Sequence, residues 1–143
     1  MKKILVRGGK PLYGNINISG MKNAAVAIIF GTILTADKCV LENIPLISDV
    51  EDSFEILEKV GATVKKIDRT TVEIDTTNVT PGIAPYDLVR KMRASYYILG
   101  AELGRFGRAR AAYPGGCEIG ARPIDLHLKG FQKLGIKIIK FKT

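Results

Sequence analysis

Leu57-Glu58-Lys59-Val60-Gly61-Ala62-Thr63-Val64 is answered 74 residues later by Phe131-Gln132-Lys133-Leu134-Gly135-Ile136-Lys137-Ile138. Both stretches read as the end of an amphipathic helix, a glycine stop that accepts the left-handed conformation, and the opening of a strand. Upstream, Met21-Lys22, followed by small and apolar residues, has its counterpart 71 residues on in Met92-Arg93-Ala94-Ser95. A near-constant offset in helix start, helix stop and following strand marks one helix–strand–helix–strand unit present twice, stacked as in repeat proteins but at a longer period. The fold class that follows is α/β, with sheets whose buried faces meet helices.

The first copy is the more fully written. Lys3–Arg7 and the strictly alternating Asn15–Ser19 read as strands, separated by a turn over Gly8–Gly14. Residues 22–35 carry Ala, Ile and Leu at helical spacing, and a strand follows over Lys38–Ile44. Ser48 is placed to cap a helix reaching Val60, with Glu51 completing a capping box, Ile47 preceding the cap and Gly61 as the stop. Strands are expected over Val64–Ile67 and Thr71–Ile74.

A chain of 143 residues with 46% hydrophobic content suits one soluble globular domain. Apolar runs such as Ala24–Leu34 are too short to span a bilayer, and Met1-Lys2-Lys3 leads into a β-like Ile4-Leu5-Val6 and then glycines, so no signal peptide is evident. Two cysteines without a CxxC or Cys/His cluster point to reduced thiols, a cytoplasmic setting and no metal. The net charge of +8, from 22 Lys and Arg against 14 Asp and Glu, favours an anionic partner: nucleic acid, a membrane surface or a phosphorylated metabolite. Lys65, Lys66, Lys137, Lys140 and Lys142 read as solvated surface. The interval from Arg90 to Arg122 is denser, with seven basic residues (Arg90, Lys91, Arg93, Arg105, Arg108, Arg110, Arg122) against Glu102 and Glu118, and a local anion site is expected there.

Within that interval, Tyr113-Pro114-Gly115-Gly116-Cys117-Glu118-Ile119-Gly120-Ala121-Arg122-Pro123-Ile124-Asp125 sets a cysteine among glycines and prolines that cannot propagate a helix or a central strand. Cys117 therefore belongs to a loop, where cationic neighbours can depress a thiol's pKa. Cys39, inside the β-type run Cys39–Ile44, reads instead as a packed core thiol. The Cys117 loop is also where the second copy departs most from the first, which has Pro45-Leu46-Ile47 there. Lys22 and Arg93 hold equivalent places at helix starts, where a cation is mildly unfavourable by itself but can join the open backbone amides around an anion.

Ser19-Gly20-Met21-Lys22-Asn23-Ala24-Ala25, Ala84-Pro85-Tyr86-Asp87-Leu88-Val89, Met92-Arg93-Ala94-Ser95 and Pro114–His127 together resemble the UDP-N-acetylglucosamine 1-carboxyvinyltransferase family of enolpyruvyl transferases. The resemblance runs the whole length, yet chains of that family are about three times longer, so it implies an N-terminal portion. It implies an inside-out α/β barrel of repeated units, in which residues 1–20 form strands of the opposite domain and residues 21–143 two α/β units of the catalytic-loop domain. Such an isolated strand must pair elsewhere, fray or recruit another chain. The implied reaction moves the enolpyruvyl group of phosphoenolpyruvate to the 3-hydroxyl of UDP-N-acetylglucosamine and releases phosphate, the first committed step of peptidoglycan synthesis, with no metal and no organic cofactor.

Carried over by motif, Cys117 is the loop acid that protonates the methylene carbon and can form a thioether adduct. Lys22, Asn23 and Arg122 hold phosphoenolpyruvate. Asn23, Arg93 and Arg122, with Pro123, Ile124, Asp125 and Leu126, receive the sugar nucleotide, and His127 supports that cradle from behind. The chemistry is consistent, because a phosphate and a carboxylate need convergent cations, which also bring the Cys117 thiol toward the working range of a proton donor. The partners implied are these two small molecules and the remaining C-terminal part of the same enzyme, not nucleic acid or membrane. The resemblance also implies a carboxylate, an arginine and nucleotide contacts beyond Thr143, which leaves this chain with half a site and no turnover by itself.

Three other readings stand beside it. A nucleic-acid-binding module is motivated by the charge and by Tyr96, Tyr97 and Phe106 among arginines, although those tyrosines sit beside Ile98 and Leu99 at core spacing. The sister transferase acting on shikimate 3-phosphate is disfavoured by the Cys117 loop and the Lys22-Asn23 pair. A purely structural piece is the third.

Overall fold

The computed structural model describes residues 3–82, 86–111 and 123–139. Helix α1 (Lys22–Gly31) runs into a 3-10 turn (Thr32–Thr35), followed by β1 (Lys38–Leu41), α2 (Ser48–Lys59), β2 (Thr63–Lys66) and β3 (Val72–Asp75). Tyr86–Lys91 forms α3, Arg93–Tyr96 a second 3-10 turn, Tyr97–Phe106 α4 and Asp125–Lys133 α5.

β3 lies between β1 and β2 and antiparallel to both, with Lys38 and Thr63 each opposite Asp75, and Leu41 and Lys66 each opposite Val72. β1 and β2 therefore run the same way, and α2 makes the crossover that parallel strands require. Alternation turns Val72 and Ile74 inward, where they join Val50, Phe54, Ile56 and Leu57 of α2 in the core. α1 packs on both α2 and α4 and buries Ala25, Val26, Ile29 and Phe30, which explains why its sequence is apolar nearly all round.

The repeat is visible in the caps. Gly61 N–H bonds Glu58 O (3.1 Å) and Ala62 N–H bonds Leu57 O (3.0 Å); in the second copy Gly135 N–H bonds Gln132 O (3.0 Å) and Ile136 N–H bonds Phe131 O (3.0 Å). Both glycines are left-handed, at φ +104° and +88°, as this cap demands. At the other end, Met21 (φ −80°, ψ 129°) and Met92 (φ −125°, ψ 119°) are the extended residues from which Lys22 and Arg93 start their helical turns.

Several expectations are corrected. Residues 3–19 form no strand: Ile4 (92% exposed), Leu12 (95%) and Ile16 (84%) stand in solvent, and an alternating segment without a neighbouring strand has nothing to satisfy its backbone. β1 stops at Leu41 because Asn43 takes a left-handed φ of 56°. Ser48 does not cap α2. The helix already includes it, Ile47 is the cap residue with its carbonyl accepting from Val50 N (3.2 Å) and Glu51 N (3.4 Å), and the Glu51 carboxylate is drawn to Lys66 Nζ at 2.7 Å. Residues 136–139 continue α5 as irregular chain rather than strand. Cys39 is only half-buried, its Sγ 3.5 Å from Thr35 Oγ1.

Candidate functional site

The start of α1 is fixed by contacts that precede it. Gly20 N–H donates to Asn43 Oδ1 (3.2 Å), and a Cβ on Gly20 would lie 2.0 Å from the Asn43 carbonyl oxygen, so no other residue fits. Ala25 N–H then closes the first helical bond onto Met21 O (2.9 Å). No side chain caps this end, and Lys22 and Asn23 are both exposed there, which leaves first-turn amides open toward solvent. Lys22 Nζ reaches Asp49 Oδ2 at 2.6 Å, in the first turn of α2, and so joins two helix starts.

Arg93 is positioned from the same side. Ser53 lies one turn beyond Asp49; its hydroxyl donates to Asp49 O (2.6 Å) and touches the sulfur of buried Met92 at 3.6 Å. Ser95 Oγ donates to Val89 O (3.0 Å), tying the 3-10 turn to α3. The Tyr96 ring packs on His127 with centroids 4.8 Å apart, and Ile124 is buried, so the first turn of α5 meets the turn that begins at Arg93. Leu128 N–H on Ile124 O (3.0 Å) opens α5. Pro123, Asp125, Leu126 and His127 are exposed on this end.

The fold thus links Lys22 and Asn23, the backbone of Arg93, and Ile124–His127 through the contacts of Asp49, Ser53, Met92 and Tyr96. Cys117 and Arg122 lie outside the described residues. Arg105, counted among the basic residues of the expected anion site, is committed elsewhere: its guanidinium donates to Ile33 O (3.1 Å), Thr76 O (2.7 Å) and Thr77 O (3.2 Å) and lies 4.8 Å from the Phe106 ring centroid. Three carbonyls held by one guanidinium make it a structural clasp between α4 and the first unit.

Sequence reasoning missed three residues. Asp49 is the partner of Lys22, and Asn43 is the anchor of Gly20. Glu102 is fully buried on α4, its pKa raised by desolvation and lowered in part by the amides of Arg110 and Gly82. A glutamate interrupting the stripe of Ile98 and Ala101 was the available signal. Asp68 and Asp75 sit below the usual carboxylate range, Asp68 chiefly through the Thr70 amide and Asp75 chiefly through the Thr77 amide.

The fold is that of the enolpyruvyl transferases: the chain superposes over 91% of its length on 28% of the enolpyruvyl transferase NikO from Streptomyces tendae, with a TM-score of 0.73 and 25% identity. The chain belongs to the EPSP synthase (3-phosphoshikimate 1-carboxyvinyltransferase) family, whose sequence profile matches residues 6–142. Among curated relatives it is 50% identical over 139 residues to UDP-N-acetylglucosamine 1-carboxyvinyltransferase of Clostridium botulinum and 51% identical over 142 residues to the enzyme of the same name from Methylacidiphilum infernorum. It covers 96% and 98% of itself in these matches, and spans about a third (33%) of the length of each relative.

Proposed function

We propose that the chain supplies one side of the active site of a UDP-N-acetylglucosamine 1-carboxyvinyltransferase. The observation that carries this reading is the 50% identity, over nearly the whole chain, to enzymes named for that substrate rather than for shikimate 3-phosphate. The linked helix starts bearing Lys22, Asn23 and Arg93 support it, because phosphoenolpyruvate and a nucleoside diphosphate sugar are both anions suited to open amides and cations. A nucleic-acid-binding role has less support, since Arg105 is spent on carbonyls and Tyr97 packs against the core.

In this reading Lys22 and Arg122 hold the phosphate and carboxylate of phosphoenolpyruvate, and Asn23 bridges to the sugar. Arg93 and the segment Arg122–Leu126 take the nucleotide, with His127 fixed behind it by Tyr96. Cys117 delivers a proton to the methylene carbon as the sugar 3-hydroxyl oxygen bonds to the central carbon; the hydroxyl proton goes to a base outside this chain. Loss of phosphate and of a proton from the new methyl group then restores the vinyl ether. Residues 1–20 belong to the opposite domain of the complete protein, residues 21–143 to the catalytic-loop domain, and the setting is cytoplasmic. Among the described residues no helix is long and apolar enough to cross a membrane.

Steady-state kinetics on the protein continued to the relatives' length test the site. Lys22→Ala and Arg122→Ala are expected to cost about 2–5 kcal/mol in the use of phosphoenolpyruvate, as for a truncated buried charge pair, while Lys142→Ala leaves it unchanged. Equal behaviour of all three removes the assignment.

A further inference from the structure

Glu102 lies on the buried face of α4 with Ile98 and Ala101, fully enclosed. An apolar side chain there would satisfy the helix stripe, whereas a carboxyl forfeits its hydration and must be compensated by hydrogen bonds. Its two oxygens face two backbone amides: Oε1 accepts from Gly82 N at 3.5 Å and Oε2 from Arg110 N at 3.4 Å. Gly82 precedes α3 and Arg110 follows α4, so both ends of the segment 82–110 are tied to a residue inside it. Arg93 belongs to that segment. Packing alone does not call for a carboxyl at this position, since replacing buried charge by a well-packed apolar group is often neutral or stabilising.

We propose that Glu102 is a positioning residue: one buried side chain fastens both ends of the segment that carries Arg93 and holds the turn Arg93–Tyr96 in place to meet the sugar nucleotide. The second half of this statement rests on the reading of Arg93 as a nucleotide contact.

Residue-resolved amide hydrogen exchange on the 143-residue chain, with titration by UDP-N-acetylglucosamine of the same variants in the chain continued to the relatives' length, tests it. Glu102→Leu removes both bonds and keeps the volume; Glu102→Gln keeps one acceptor oxygen and turns the other into a donor. In Glu102→Leu, protection at Gly82 and Arg110 is expected to fall about tenfold, while Ile29 and Leu57 exchange as before and Tm is not lowered. In Glu102→Gln only one of the two amides loses protection. The affinity for UDP-N-acetylglucosamine falls about tenfold in Glu102→Leu. Unchanged exchange at both amides overturns the proposal, as does a parallel loss at Ile29 and Leu57, which would make Glu102 a general stability residue. A local loss with unaltered affinity overturns the positioning role. Should Glu102→Leu not fold, Glu102→Gln decides by the same comparison. A wild-type protein of the relatives' length that fails to bind the sugar nucleotide, with the local exchange effect intact, contradicts the role of Arg93 and leaves the fastening established.

Discussion

Lys22 Nζ sits 2.6 Å from Asp49 Oδ2, so the first residue of α1 is joined to the first turn of α2. The Lys22 side chain is 55% exposed, and an exposed pair of this kind is worth only about 0–1 kcal/mol. A bond of that strength is weak enough for Lys22 to exchange it for the anion of the proposed site. In the proposed site Asp49 is therefore both the partner of Lys22 and its competitor for anions.

Asp49→Asn is expected to tighten the binding of inorganic phosphate or phosphoenolpyruvate to the chain by about threefold, because Lys22 no longer leaves a partner. Stability should fall by only about 0.3–1.5 kcal/mol, since the carboxylate also lies at the favourable end of the α2 dipole. Titration monitored at the Lys22 and Asn23 amides, together with urea unfolding, reads both quantities. Unchanged anion affinity would remove Asp49 as a competitor.

Gly20→Ala places a Cβ where the Asn43 carbonyl oxygen already stands, 2.0 Å away. Backbone must move on one side or the other, and a loss of about 2 kcal/mol or more is expected in denaturant unfolding, with shifted resonances at Lys22 and Asn23. A variant as stable as the wild type would show that this approach is not what fixes the start of α1.

Much of this architecture was legible in the sequence. The paired glycine stops at Gly61 and Gly135 and the paired starts at Met21 and Met92 each report a local rule, and each is met by the backbone. What was not legible depends on contacts between distant residues. The alternation of Asn15–Ser19 is a true strand signal that finds no neighbouring strand among the described residues, so the pattern goes unused there. Ser48 and Glu51 satisfy the capping pattern, but Lys66, on the adjoining strand, takes the glutamate. Arg105 looked like an anion ligand because composition cannot distinguish a free guanidinium from one bound to Thr76 and Ile33 carbonyls. The positions of Asp49 and Glu102 follow only from how α1, α2 and α4 pack.

Thiol labelling should separate the two cysteines. Cys39 is half-buried beside Thr35, whereas Cys117 is assigned to a glycine-flanked loop among cations, so iodoacetamide is expected to modify Cys117 at least about tenfold faster. Peptide mass mapping of a time course checks this, and equal rates in a folded sample would count against Cys117 as the acid.

Stability should depend on pH in two opposite senses. Burial raises the Glu102 pKa above 4.5, so between that value and its folded value the native state binds more protons than the unfolded one and stability falls as pH rises. Asp68 and Asp75 are lowered below 3.8 by their hydrogen bonds; their contribution is present above that value and is lost as pH falls through their folded values. Urea unfolding from about pH 3 to about pH 8 should show Glu102→Gln flattening the upper slope and Asp68→Asn the lower one. A Glu102→Gln profile parallel to the wild type would contradict the buried-carboxyl assignment.

The most direct test is phosphate release from UDP-N-acetylglucosamine plus phosphoenolpyruvate, measured with the 143-residue chain and with the same chain continued to the length of its relatives. No release is expected from the shorter chain, and turnover from the longer one that disappears in Cys117→Ser, because a hydroxyl is too weak an acid to protonate carbon. Robust turnover by the 143-residue chain, or full activity of the longer Cys117→Ser variant, would contradict the assignment of half an enolpyruvyl transferase site with Cys117 as its proton donor.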